Sequence, residues 1–119
     1  MKNKLLKNFK IYVAGHNGMV GRAVIRSLKH EGVKKLIFEN RKKLNLLNSK
    51  DLEKFIRSQK PDIIINCAGK VGGILANASY PVEFINENIF IQLNLINLAH
   101  KYKIKHFINL GSSCIYPKF

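Results

Sequence analysis

Residues with reactive side chains stand in the stretch "NLGSSCIYPKF", residues 109–119. The apolar run before it is typical of a strand, so Ser112, Ser113 and Cys114 would lie just past a carboxyl end, where open parallel sheets bind ligands. A serine without a neighbouring base is a poor nucleophile, so Ser112 is either a hydrogen-bonding residue or a simple turn serine. Cys114 is either a small half-buried residue or a thiol that accepts protons, if a polar setting lowers its pKa.

A second candidate site is the stretch "GHNGMVG", where Gly15, Gly18 and Gly21 follow a GxxGxxG pattern between a predicted strand and a predicted helix. In dinucleotide-binding folds the first glycine permits a tight turn, the second lets a pyrophosphate approach the backbone, and the third lets the helix lie close to the sheet. The helix N-terminus then faces the phosphate charge. A turn that merely connects strand and helix is the alternative, but the flanking elements favour a dinucleotide.

Charged residues just past the predicted strands bear on which dinucleotide binds. Glu39 lies where a carboxylate could accept hydrogen bonds from ribose hydroxyls, which favours NAD, whereas Arg41 suits a 2′-phosphate, which favours NADP. Lys70, past the third strand, either approaches a ligand or is a solvated turn lysine. The residues alone leave these alternatives open.

Apolar runs and helical periodicities alternate along the chain. The predicted strands are "KIYVAG", "KKLIFE", "DIIINCAG" and "KHFINLG". One helix is predicted over "MVGRAVIRSLKHEG", ending at Gly32, and another over "NSKDLEKFIRSQKP", with Asn48 or Ser49 as its N-cap. A third runs from about Ser79 to Tyr102. Its apolar residues recur at three- and four-residue steps, as on the core-facing side of an amphipathic helix: Val82, Ile85, Ile89, Leu93, Ile96 and Ala99.

This alternation predicts an α/β fold, a Rossmann-type doubly wound parallel sheet with helices on both faces and right-handed crossovers. The strand order that we predict is 3-2-1-4, the first half of such a nucleotide-binding sheet plus one strand. The sheet would be incomplete, because that fold continues with further strands.

The composition is that of one soluble domain, since 119 residues with 46% hydrophobic content suffice for a single core. The apolar runs are far shorter than the ~20 residues of a membrane-spanning helix, and "MKNKLLKNFK" lacks the apolar centre of a signal peptide, so we expect a cytoplasmic protein with no membrane partner. Cys67 is expected in the core of the third strand, and no metal site is indicated. The net charge of +14 suits a nucleic-acid partner. Because the lysines are scattered, we expect none.

Several motifs together resemble a known enzyme family. "VAGHNGMVG", "LNLLNS", "NCAGKVGGILAN", "YPVEFINEN" and "LGSSCIYPK" are similar to the N-terminal part of the GDP-L-fucose synthases. These are GDP-4-keto-6-deoxymannose 3,5-epimerase-4-reductases of the extended short-chain dehydrogenase/reductase family. The resemblance runs from about Lys10 to Lys118. It implies that residues 1–119 are the N-terminal part of an NADP-binding Rossmann domain, from an enzyme that acts on a GDP-sugar and is usually a homodimer.

The resemblance also implies roles for individual residues. Ser112 would donate a hydrogen bond to the C4 carbonyl oxygen, and Cys114 would remove the protons α to that carbonyl. The cofactor would contact four stretches: Gly15, His16, Asn17, Gly18, Met19, Val20 and Gly21 at the pyrophosphate; Arg41 at the 2′-phosphate; Asn45 and Leu46 near the adenine; and Leu110, Gly111, Ser112 and Ser113 on the nicotinamide side.

The chain departs from the family pattern at Asn17, where members often carry a basic residue, and at Glu39, where they carry a basic or neutral one. The family's catalytic Tyr-x-x-x-Lys pair has no match, since Tyr116 is followed at once by Pro117. We therefore expect the last strands and the substrate domain to be absent, and the 119 residues to bind cofactor without turnover. The alternatives are a non-catalytic NAD(P)-binding remnant or sensor and a basic nucleic-acid-binding module.

Overall fold

A computed structural model of the chain describes residues 6–112. Within them a 3-10 turn at Leu6–Asn8 precedes alternating strands and helices. The strands are β1 (Lys10–Ala14), β2 (Lys35–Ile37), β3 (Ile63–Asn66) and β4 (His106–Asn109). The helices are α1 (Met19–His30), α2 (Ser49–Gln59), α3 (Ile74–Ser79) and α4 (Pro81–Lys101). No helix in residues 6–112 has both the length and the apolar character needed to cross a membrane.

The strands form one parallel sheet that is covered by helices on both faces. Successive side chains of β1 point to opposite faces, as in any strand. Ile11 and Val13 pack on the face covered by α1, whereas Tyr12 and Ala14 pack on the face covered by α2 and α4. The predicted fold class, a doubly wound parallel α/β sheet, is therefore confirmed.

The order of the strands corrects the prediction. The sheet reads β2-β1-β3-β4, so the predicted order 3-2-1-4 is wrong, and β3 lies on the side of β1 away from β2. Burial explains this arrangement, because β3 is buried at all four positions, whereas β2 has no buried residue. A continuous apolar run belongs between two neighbours in a parallel sheet, and a short, partly exposed strand suits the edge.

The helix ends follow the predicted capping signals. Oδ1 of Asn48 accepts hydrogen bonds from the backbone N–H groups of Lys50 and Asp51, at 3.1 and 3.2 Å, and so caps α2. Past α1, Gly32 adopts a left-handed conformation with φ of +84°. The N–H of Val33 then donates to the carbonyl of Leu28, which closes the last turn.

The long helix α4 turns a different side to the core from the predicted one. Its buried residues are Ile91, Leu95, Leu98 and Ala99. The predicted stripe is wrong except at Ala99, because its other members are 46–62% exposed: Val82, Ile85, Ile89, Leu93 and Ile96. The helix is apolar on two sides, so periodicity alone does not decide which side packs. It also begins at Pro81, and the short α3 before it was not predicted.

Two neighbouring residues of α4 test this orientation. Leu95 is fully buried and Ile96 is 46% exposed. We expect Leu95→Ala to lower the free energy of unfolding by about 2–5 kcal/mol, because it leaves a cavity, and Ile96→Ala to lower it by less than about 1 kcal/mol. Urea denaturation followed by circular dichroism measures both. A larger loss for Ile96→Ala would contradict the orientation.

Candidate functional site

The glycine turn connects β1 to α1 and packs against the chain just past β3. Gly15 follows β1 with φ of +75°, and a Cβ on it would approach the backbone of Ala68, just past β3, to 2.6 Å. Gly21, in the first turn of α1, is buried, and a Cβ there would overlap the carbonyl oxygen of Gly15. The strand end, the turn and the helix start therefore pack backbone against backbone, which only glycine permits at these positions.

The N-terminus of α1 faces the opening next to this turn. Gly18 is the N-cap residue, with extended backbone (φ −70°, ψ 166°) and no side-chain cap. A Cβ on Gly18 would meet only the Gly15 oxygen, at 3.4 Å, so the backbone here is open to a ligand. Met19 and Val20, which begin the helix, are also exposed. The first N–H groups of a helix lack intrahelical acceptors and, with the helix dipole, favour an anion.

Two contacts join the glycine turn to the loop after β2. Nδ2 of Asn17 donates a hydrogen bond to Oδ1 of Asn40 at 2.9 Å. The ring of His16 stacks on Phe38, with 4.9 Å between centroids and 29° between planes. The turn and this loop thus form one continuous wall of a cleft, which the sequence did not predict.

Acidic and aromatic groups lie together at the end of β2. Oε1 of Glu39 accepts a hydrogen bond from the backbone N–H of Asn40 at 2.9 Å. Burial, and to a smaller extent the charge of Glu39, raises the pKa of Tyr12 far above its ordinary value. Both residues line the cleft. Tyr12 therefore stays a neutral phenol there, and Glu39 is the negative charge on this wall.

A bridged set of charges links this wall to the opposite one, which the loop after β3 and α4 form. Oε1 of Glu87, on α4, lies 2.6 Å from Nζ of Lys70, and its Oε2 lies 3.7 Å from Nη2 of Arg41. The Arg41 side chain is 80% exposed, against 26% for Glu87 and 31% for Lys70. The structure thus brings Arg41, predicted at the cofactor, and Lys70 to one cleft through a carboxylate that the sequence did not point to.

The predicted adenine-side residues are held in place by α4. Nδ2 of Asn94 donates a hydrogen bond to the carbonyl of Leu46 at 2.9 Å. Within the loop, Oδ1 of Asn45 accepts from the N–H of Leu47 at 3.1 Å. Asn45 and Leu46 line the same cleft as the glycine turn, so the structure brings these predicted residues together.

The residues past β4 form a separate group. Asn66, only 2% exposed, donates a hydrogen bond from Nδ2 to Oδ1 of Asn109 at 2.8 Å. The N–H of Leu110 donates to the carbonyl of Asn66 at 3.2 Å. Leu110, Gly111 and Ser112 follow at the carboxyl end of β4, beyond β3 as seen from β1. Ser113 and Cys114 lie outside the described residues.

One residue of the cleft was misplaced by the sequence prediction, and one residue that supports the cleft was missed. Cys67, predicted inside a strand, follows β3 and lines the cleft, where burial raises the pKa of its thiol. Asn88 clamps the loop after β3, because its Oδ1 accepts from the Lys70 N–H at 2.7 Å and its Nδ2 donates to the Lys70 carbonyl at 3.0 Å. Glu87 and Asn88 belong to the polar run at residues 86–88 of α4, but polar residues also occur elsewhere in this helix, so the run alone did not point to the cleft.

Known proteins share both the sequence and the fold of this chain. A putative GDP-L-fucose synthase 2 from Arabidopsis thaliana is 46% identical over 115 residues, which is 97% of this chain and 35% of that protein. The GDP-L-fucose synthase of Escherichia coli K12 is 44% identical over 109 residues, 92% of this chain and 34% of that protein. The chain therefore spans about a third of the length of the curated relatives it matches.

A solved structure of a related protein has the same fold as this chain. A GDP-mannoheptose C4 reductase from Campylobacter jejuni, with NADP bound, superposes with a TM-score of 0.88 at 34% identity, over 93% of this chain and 33% of that one. The sequence model of the NAD dependent epimerase/dehydratase family matches residues 11–119, which include the glycine turn, both walls of the cleft and the end of β4. The chain belongs to that family.

Proposed function

We propose that this chain is the N-terminal, cofactor-binding part of an NADPH-dependent enzyme that converts GDP-4-keto-6-deoxymannose to GDP-L-fucose by epimerisation and reduction. The observation that carries the proposal is the open N-terminus of α1 at Gly18, in a cleft that Arg41 also lines. The similarity to GDP-L-fucose synthases and to a reductase solved with NADP supports it. Residues 1–119 would then form part of one cofactor domain.

The residues of the cleft fit such a cofactor. The backbone at Gly18 and the first N–H groups of α1 would hold the pyrophosphate, and the fork of N–H donors on Arg41 would hold the 2′-phosphate. Asn45 and Leu46 would border the adenine, and Leu110 to Ser113 the nicotinamide. When bound, NADPH supplies the hydride that reduces the C4 ketone.

Two side chains past β4 would act on the sugar. The Ser112 hydroxyl would donate a hydrogen bond to the C4 oxygen, where negative charge develops during reduction. The Cys114 thiolate would take a proton from the carbon next to the ketone, leaving an enolate whose charge lies on the C4 oxygen beside the Ser112 hydroxyl. Return of a proton to the opposite face of that carbon would complete the epimerisation. Both roles are carried over from the matching "GSSC" stretch.

We expect the 119-residue chain to bind NADPH without oxidising it when GDP-4-keto-6-deoxymannose is added. The groups proposed for the pyrophosphate, the 2′-phosphate and the adenine lie within the described residues. The Tyr-x-x-x-Lys pair, whose tyrosine would supply the C4 proton, has no match in the 119 residues. Fluorescence titration measures binding, and absorbance of the reduced nicotinamide measures turnover. Absence of binding at millimolar NADPH would contradict the proposed cofactor site. Oxidation of NADPH in the presence of the sugar nucleotide would contradict the expectation that the chain has no turnover.

A matched glycine pair provides the control for that titration. A methyl group on Gly18 meets one atom at 3.4 Å, and on Gly73, the N-cap of α3, it meets nothing within 4 Å. Both alanine variants should therefore fold. We expect Gly18→Ala to weaken NADPH binding about tenfold or more, because its methyl group stands where the pyrophosphate approaches, and Gly73→Ala to leave binding unchanged.

The proposed preference for NADP rests on Arg41. Arg41→Gln should weaken NADPH binding about tenfold, since a charge-assisted hydrogen bond contributes about 1.5–3 kcal/mol, with little effect on NADH. Lys42→Gln removes the same charge from the next residue, which is also exposed, and is the control. Paired titrations with both cofactors measure the ratio of the dissociation constants for NADPH and NADH. An equal loss for NADPH and NADH would rule out a 2′-phosphate contact.

A homodimer is a further part of the proposal, supported by the exposed apolar side of α4. Ile89 and Leu93 on that side are 51% and 46% exposed, and covering them with a second copy would remove apolar surface from water. Sedimentation velocity should find a dimer, which Ile89→Glu dissociates and Ser27→Glu, at an exposed polar position of α1 on the opposite face of the sheet, does not. A wild-type chain that stays monomeric at all concentrations would contradict this.

A further inference from the structure

A carboxylate stands between the two basic side chains of the cleft. Glu87 lies on α4, Arg41 lies in the loop after β2, and Lys70 lies in the loop after β3. Both carboxylate oxygens are engaged: Oε1 with Nζ of Lys70 at 2.6 Å, and Oε2 with Nη2 of Arg41 at 3.7 Å. One acidic residue thus links two loops across the proposed cofactor cleft.

The two ends of this bridge differ in strength. Lys70 is fixed, because the Asn88 side chain holds its backbone on both sides and its ammonium group lies 5.3 Å from the centroid of the Phe84 ring. Arg41 is loosely held, since its side chain is 80% exposed and its distance to Glu87 exceeds that of a hydrogen bond. A stronger anion would therefore displace Glu87 from Arg41 and leave the contact with Lys70 intact.

We propose that Glu87 is a specificity-determining residue that opposes binding of a phosphate at Arg41 and so reduces the preference for NADPH over NADH. This inference rests on the proposed function. A 2′-phosphate bears nearly two negative charges, must take the Arg41 guanidinium from the carboxylate, and then stays close to that like charge. NADH has a hydroxyl at this position and meets neither cost, so Glu87 affects the two cofactors unequally.

Glu87→Gln tests the inference with little risk to the fold. The amide has nearly the same shape, and its Oε1 still accepts a hydrogen bond from Lys70. We expect NADPH to bind about three- to tenfold more tightly to the variant, while NADH changes less, so the ratio of the two dissociation constants shifts toward NADPH. Fluorescence titrations with both cofactors at one ionic strength measure the ratio.

Glu83→Gln is the matched control. Glu83 lies one turn earlier on α4, is exposed, and carries the same charge, so this change tests the effect of net charge alone. We expect it to leave the ratio unchanged. In an Arg41→Gln background, Glu87→Gln should also lose its effect on the ratio, because the two residues act through one contact.

The outcomes separate the inference from the proposed function. If the wild-type chain binds neither cofactor, both fail. If it binds NADPH through Arg41 and Glu87→Gln leaves the ratio unchanged, or weakens NADPH, the inference about Glu87 fails alone. An equal shift with Glu83→Gln would also overturn it, because the effect would then belong to net charge.

Discussion

The backbone of the glycine turn packs directly against the backbone at the end of β3, and the position of the cleft depends on that contact. Gly15 lies so close to Ala68 that a side chain would separate β1 from β3, and Gly21 brings the start of α1 against the same turn. The helix N-terminus is thereby held at the edge of the sheet, beside the ends of two strands. A larger residue at either position would displace the helix end from the cleft.

Helix α4 contributes the second constraint, through its polar rather than its apolar residues. Asn88 holds the loop after β3, Asn94 holds the loop before α2, and Glu87 links Lys70 with Arg41. Each loop would otherwise expose backbone groups that need partners. One helix therefore sets the distance between the walls of the cleft, and the same helix buries Leu95 and Leu98 against the sheet.

The features that the sequence predicted correctly are those decided by local interactions. The cap at Asn48, the left-handed Gly32 after α1 and the alternation of strands and helices depend on residues that are neighbours in the sequence. The predicted strand order was wrong because the order depends on contacts between strands that are far apart in the sequence. The three isoleucines before Asn66 did indicate a strand with neighbours on both sides. The predicted core-facing side of α4 was wrong because that helix carries apolar residues on two sides. The bridge from Glu87 joins residues 17 and 46 positions away, a separation no periodicity reveals.

The net charge of the chain and the few charges inside the cleft have different effects on a ligand. The chain has 21 basic and 7 acidic residues, so its field attracts any polyanion. Two of the acidic residues, Glu39 and Glu87, line the cleft, whereas Glu53 and Asp62 pair with lysines on the surface, where ion pairs contribute little. Net charge can raise the local concentration of a dinucleotide, but it does not distinguish a ribose hydroxyl from a phosphate. That distinction depends on charges within a few ångströms, and there the carboxylate of Glu87 lies beside Arg41.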